Sequence, residues 1–247
     1  GVRFNMGGYM TELDYTRTVL EGSKLAGTMG WTGDGPHPEI FAAAQDAIGE
    51  SGGVAIVKPR EDEVILEYFR KLEEARPVAV GVDVDGAGAI TMALQGQPVG
   101  PKLPESLRKI VKASSWPFIL KGIMTPDEAE LAVEVGAAAI VVSNHGGRVL
   151  DHTPGTAEVL PGIAEKVKGK IAIIADGGVR SGVDVLKFLA LGADAVLVGR
   201  PLVIGAYGGG AEGVAFVLRR MADELRQAMI LTGCANLADI GPRVLAV

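Results

Sequence analysis

Gly136-Ala-Ala-Ala-Ile-Val-Val-Ser-Asn144 returns later in the chain as Gly192-Ala-Asp-Ala-Val-Leu-Val-Gly-Arg200. Each copy runs from a glycine through a short, dense apolar segment to a polar end. Such a run is the signature of a strand buried on both faces. The residues ahead of the copies correspond as well, Lys121-Gly122 before the first and Asp176-Gly177 before the second, with one residue of slippage. The repeat is therefore a strand–loop–helix–strand unit, and equivalent strand ends fall on one side of the sheet. Lys121, Ser143, Asp176 and Gly199 are expected to share a rim.

Working outward, strand-like runs alternate with helical ones. Strands are expected at Leu25–Thr32, Val54–Lys58, Pro77–Val84, Pro117–Leu120, 138–143, Ile171–Ala175 and Ala195–Val198. Helices are expected near 11–24, 39–50, 60–74, 104–114, from Thr125 to Gly136, up to about 168, up to Leu191, and over 211–231. Thr11 and Thr125 read as N-caps, each followed by acids in the first turn, and Pro126 suits the first helical position. Residues 89–104 read as the longest irregular segment, the kind that often forms a lid or binding loop. Repeated βα units mean a parallel sheet, and the length of 247 residues suits one (β/α)8 TIM barrel. Only seven strands are counted. The expected fold is that barrel as a single domain over 1–247, with its first strand placed ahead of Gly1, where the chain starts as if leaving a strand.

Composition narrows the function. The net charge of −6 argues against a nucleic-acid partner, and the lone Cys234 excludes an intrachain disulfide or a cysteine metal cluster. Cys234 reads as a packed residue. No apolar run reaches the roughly 18 residues of a membrane span. A cytoplasmic enzyme without a membrane or metal role is the expectation.

The first copy of the repeat ends by presenting His145 and Arg148 across two glycines. A histidine can exchange a proton near neutral pH, and an arginine can grip a carboxylate with two parallel hydrogen bonds. Asp176-Gly-Gly-Val-Arg180 and Gly199-Arg200 pair glycine with arginine in the last two loops. That suits phosphate, because glycine lets backbone N–H groups approach the oxygens. Lys121 would place an ammonium beside a group that gains negative charge in a reaction. His37 and His152 read as loop residues.

Ser143-Asn-His-Gly-Gly-Arg148, with Leu150-Asp151, resembles the signature of the FMN-dependent α-hydroxy acid dehydrogenase/oxidase family, which includes glycolate oxidase, lactate oxidase and mandelate dehydrogenase. The resemblance continues through Asp176–Arg180, Leu189–Ala193 and Gly199–Pro201, and is good from Pro117 to Asp239. It implies FMN on the rim and oxidation of a small 2-hydroxy acid. By position, Lys121 would face the flavin, with Ser143 and Asp83 beside it. Asp176 would bind the ribityl chain, and Gly177, Gly178, Arg180, Gly199 and Arg200 the phosphate. His145 would be the base, Arg148 the carboxylate ligand, and Asp85 the partner of His145. A homotetramer is also implied. The chain departs from the family at two places: Ala55 aligns with its third-strand tyrosine, and Met92 falls near its second arginine. Other readings are isopentenyl-diphosphate isomerase-like flavin chemistry, a non-redox phosphate-binding barrel, and a degraded flavin-binding protein.

Overall fold

A computed structural model describes residues 7–245. Helix α1 (Glu12–Leu25) starts at Thr11, whose side chain accepts the Asp14 N–H, with Glu12 and Asp14 in the first turn. Seven strands follow: β1 (Trp31–Gly33), β2 (Val54–Val57), β3 (Ala79–Asp83), β4 (Phe118–Ile123), β5 (Ala139–Val142), β6 (Ala172–Ala175) and β7 (Ala195–Val196). They pair in sequence order and all in parallel. Between them lie α2 (Pro38–Ser51), α3 (Asp62–Lys71), a 3-10 turn (Val84–Gly88), α4 (Ile90–Leu94), α5 (Pro104–Ala113), α6 (Pro126–Glu134), α7 (Thr156–Val167) and α8 (Gly182–Ala190), and α9 (Arg200–Leu231) ends the series.

The strands alternate between two apolar layers. Ala55, Val57, Val80, Val82, Leu120, Ile140, Val142 and Ile173 pack with helix residues such as Ile65, Ile110 and Leu160. Val54, Ile56, Ala79, Ile119, Ala139 and Val141 form a separate cluster of strand residues, flanked by Trp31, Ile174 and Leu197, inside the curl of the sheet. This alternation is the two-residue period of a strand. It corrects the expectation for Ala55. That side chain faces the helices, and the inward positions of β2 are Val54 and Ile56, with Lys58 next in phase.

The helices and strands otherwise fall close to the expected ranges, with three corrections. The run Leu25–Thr32 supplies only the three residues of β1, because α1 extends to Leu25 and Gly27 turns the chain at φ +76°. Residues 89–104 contain the short helix α4. Helix α9 begins at Arg200, not at 211, and breaks at Gly209 and Gly210, whose backbone angles are not helical. By length and composition α9 could cross a membrane, contrary to expectation. Its Leu202, Ala206 and Val214 are spent against Val19 and Tyr15 of α1.

That contact closes the ring. Gly22 of α1 sits so near α9 that a Cβ there would lie 2.5 Å from the Ala211 oxygen and from Val214 Cβ. Helices α1 and α9 thus meet, while among the described residues no strand pairs with the outer edges of β1 and β7. Among the described residues, the architecture is a (β/α)8 barrel with seven strand positions filled.

Candidate active site

Parallel strands place all their C-terminal ends on one rim, and the inward phase selects which side chains meet there. Lys58 leaves β2, Asp83 ends β3, Lys121 lies in β4, Ser143 leaves β5 and Asp176 leaves β6. Lys121 Nζ is 3.2 Å from Asp83 Oδ1, 3.1 Å from Ser143 Oγ and 3.9 Å from Asp176 Oδ2. The expected rim of Lys121, Ser143 and Asp176 is therefore formed, and Gly199 joins it as the N-cap of α9. Lys121 is buried within this cluster, its side chain 14% exposed, and does not reach for solvent. Burial alone would lower its pKa, but Asp83, Asp176 and Asp85 raise it above the ordinary lysine value. The ammonium stays charged.

Asp83 is the hub. Its side chain is 5% exposed, with Lys58 Nζ 2.5 Å from Oδ2 and Lys121 on Oδ1. Burial pushes the carboxyl up, but His145 and the two lysines outweigh it and hold Asp83 well below the usual carboxylate range. Asp85, two residues on in the 3-10 turn, is raised instead, by burial and by the charge of Asp83 beside it. Its Oδ2 is buried and has no hydrogen-bond partner.

His145 faces both carboxylates. Its Nδ1 lies 3.2 Å from Asp85 Oδ1 and 3.4 Å from Asp83 Oδ2. Asp83 and then Asp85 raise its pKa above the ordinary histidine value, against burial. The backbone aims the ring. His145 takes φ +57°, a left-handed conformation uncommon outside glycine, and Gly146 and Gly147 continue it at +67° and +77°. The turn is pinned by His145 N–H donating to Ser143 Oγ at 3.1 Å and Gly147 N–H to Asn144 Oδ1 at 3.1 Å. Arg148 donates through Nε to the His145 carbonyl at 2.9 Å, which ties the exposed guanidinium to the same turn. With Nδ1 committed to carboxylates, Nε2 is the ring nitrogen left to exchange a proton.

The glycine loops lie on the other side of Lys121. Gly177 and Gly178 have φ of +102° and +73°. A Cβ on Gly178 or Gly199 would meet nothing within 4 Å, so the backbone there is open to a ligand. Thr156 Oγ1 holds the loop by donating to the Asp176 carbonyl at 2.5 Å. Arg180 and Arg200 are exposed at this end, and Arg200 reaches the Gly146 carbonyl at 3.5 Å. Asp176 Oδ1 is a buried acceptor without a partner. An open glycine backbone, the start of a helix, two arginines and an orphaned carboxylate oxygen fit a phosphate joined to a hydroxylated chain.

Asp83, Asp85 and His145 are also close enough together to share a cation. Lys58 and Lys121 already place an ammonium on each oxygen of Asp83, and a divalent ion would have to enter against both. The cluster is built to handle protons. Sequence reading missed Lys58, whose signal was its phase with Val54 and Ile56. It also missed Arg60, buried at 4% exposure, which bonds Asp34, the Gly35 carbonyl and Gln97 and so fastens three rim loops. Met92 is buried and offers the rim no cation.

A family model described as FMN-dependent dehydrogenase matches residues 84–247. An L-lactate dehydrogenase of Chromohalobacter salexigens is 50% identical over 237 residues, covering 92% of this chain and 60% of that protein. A 2-hydroxyacid oxidase of Dictyostelium discoideum is 49% identical over 139 residues, covering 56% of this chain and 36% of that protein. The chain thus spans between 36% and 60% of the length of these relatives. A crystal structure of mandelate oxidase superposes with a TM-score of 0.76 at 31% identity, covering 96% of this chain and 73% of that one. The histidine–arginine turn, Asp85, Lys121, Ser143, Asp176 and the open glycine loops lie within the matched residues, with Asp83 one residue ahead of them: the chain belongs to the FMN-dependent dehydrogenase family.

Proposed function

We infer that the protein is an FMN-dependent oxidoreductase that converts a small 2-hydroxy acid to the 2-oxo acid. The observation that carries this reading is the pairing of His145 Nδ1 with Asp85 and Asp83, on the same tight turn as Arg148. Arg148 binds the substrate carboxylate. His145 Nε2 takes a proton from the substrate, at its 2-hydroxyl or its α-carbon, and the imidazolium so formed is stabilised by Asp85 and Asp83. FMN, when bound, supplies the acceptor for the two electrons that leave the substrate. Lys121 keeps a positive charge where the flavin would gain negative charge, with Ser143 and Asp83 holding its ammonium in place. Asp176 receives the ribityl hydroxyls, and Gly177, Gly178, Arg180, Gly199 and Arg200 hold the phosphate. The names of the relatives support lactate or a similar short 2-hydroxy acid as substrate.

A homo-oligomer, a tetramer by the family resemblance, belongs to the same reading. Exposed Ile204, Phe216, Ile230 and Leu231 on α9 support it, and sedimentation of the FMN-loaded protein measures it.

The test of the chemistry is His145→Ala. The variant is expected to retain FMN with unchanged visible bands, while anaerobic reduction by a 2-hydroxy acid slows by about 10²–10⁴-fold. Reduction at the parent rate removes His145 from the chemistry. Failure of the parent protein to retain FMN removes the cradle.

A further inference from the structure

His145 has two carboxylates against one ring nitrogen. Two uncompensated negative charges at that range would hold an imidazole in its protonated form through neutral pH, and an imidazolium cannot take a proton. The charged groups around it come from six elements and its own loop. Asp83 faces it from β3 and Asp85 from the 3-10 turn. Lys58 arrives from β2. Lys121 of β4 stands behind Asp83, with Asp176 from β6 beyond it at 3.9 Å. Arg148 lies on the same turn, and Arg200 reaches the Gly146 carbonyl from α9.

Among these, Lys58 has a particular place. Its ammonium sits on Asp83 Oδ2, the Asp83 oxygen that faces His145 Nδ1, while Lys121 takes Oδ1. Lysine and imidazole therefore compete for one carboxylate oxygen. The lysine is also held. Its N–H donates to Asp34 Oδ1 at 2.7 Å, and Asp34 is itself gripped by Arg60. Its stem passes Gly86, where a Cβ would lie 3.0 Å from Lys58 Cδ. Only 15% of the side chain is exposed.

We propose that Lys58 is a positioning residue: its ammonium takes up the charge of Asp83 Oδ2 and leaves Asp85 as the one uncompensated carboxylate against His145 Nδ1. This rests on the reading of His145 as the base. Lys58 keeps the imidazole available as a base at neutral pH, although the two carboxylates still hold its pKa above the ordinary value.

The test uses the full-length, FMN-loaded protein and two readouts. One is the NMR titration of the His145 Cε1 proton, assigned with His145→Gln. The other is the acid limb of kcat/KM against pH. Lys58→Met keeps the stem and removes the charge. It is expected to move both readouts higher by about one pH unit, and Lys58→Arg to restore both. Adding Asp83→Asn to Lys58→Met is expected to bring the titration back down. Where Lys58→Met fails to fold, Lys58→Gln, which can still donate to Asp83 Oδ2 without a charge, bears the same expectation. A His145 titration that does not rise, or one that Lys58→Arg shifts equally, overturns the inference. A titration that rises while the acid limb stays in place upholds Lys58 and overturns the assignment of His145 as base.

Discussion

Asp83 and Asp85 are two residues apart and share one histidine, yet their surroundings push them in opposite directions. Asp83 is held low by His145, Lys58 and Lys121 despite burial, so it contributes stability that is present above the ordinary carboxylate pKa and lost as pH falls through its depressed value. Asp85 is raised, so its contribution is present at low pH and lost as pH rises through its folded value. The two asparagine variants should therefore part company. Asp83→Asn takes the counter-ion from Lys58 and the nearer of two from Lys121, and is expected to cost about 3–5 kcal/mol at pH 7. Asp85→Asn should leave stability at pH 7 unchanged or higher, move the acid limb of kcat/KM to lower pH, and slow turnover on the order of 10²-fold. Denaturant unfolding and a pH profile separate them, and equal unfolding costs would refute the division of roles. His145, Arg148 and Lys121 were legible from residue type and local pattern, and the two aspartates only through the family resemblance. Lys58 was not, because its role depends on strand phase. Placing the substrate-facing position of β2 one residue off, at Ala55, turned the chosen side chain to the helices.

At the scale of elements, the caps were the clearest signal. Thr125 and Glu128 form the capping box that opens α6, and Ser181 and Asp184 form another at α8. The glycines were ambiguous, since one residue type serves as turn, packing contact and ligand approach. The structure separates these uses. A Cβ on Gly182 would lie 2.2 Å from the Leu225 nitrogen and the Met221 oxygen, so α8 begins in direct backbone contact with α9. Gly182→Ala is expected to destabilise by at least about 2 kcal/mol, because backbone cannot step aside. Gly178 is the opposite case, with φ +73° and open space where its Cβ would stand. Gly178→Ala should cost only about 1 kcal/mol of backbone strain but weaken FMN binding by more than tenfold. Flavin fluorescence on dilution measures the affinity. Tight FMN binding in that variant would mean that the loop meets the phosphate elsewhere. The break in α9 belongs to the same ambiguity: Gly209 and Gly210 leave the helical conformation, yet helix stands on both sides of them.

At the scale of the whole molecule, the internal repeat made the parallel sheet legible, because it tied strand ends to one rim. It could not reveal how α1 and α9 meet, since that contact joins residues almost two hundred positions apart and leaves no local pattern. The structure makes the join through helices. Gly22 of α1 lies against Ala211 and Val214, and Arg219 donates to the Leu25 carbonyl at 2.8 Å. Inside α9, the two halves touch at Gly205 and Gly213, where a Cβ on Gly205 would lie 2.7 Å from the Gly213 oxygen. Pressure on the second half therefore reaches the first, whose start is the Gly199–Arg200 phosphate loop. Gly22→Ala, remote in sequence from every ligand residue, is expected to destabilise by about 2–3 kcal/mol and to weaken FMN retention as well. Thermal unfolding without ligand and flavin titration of the same sample read the two effects apart. A lowered Tm with parent-like FMN affinity would show that the break at Gly209–Gly210 uncouples the halves, and that the α1–α9 contact holds the ring together without setting the phosphate loop.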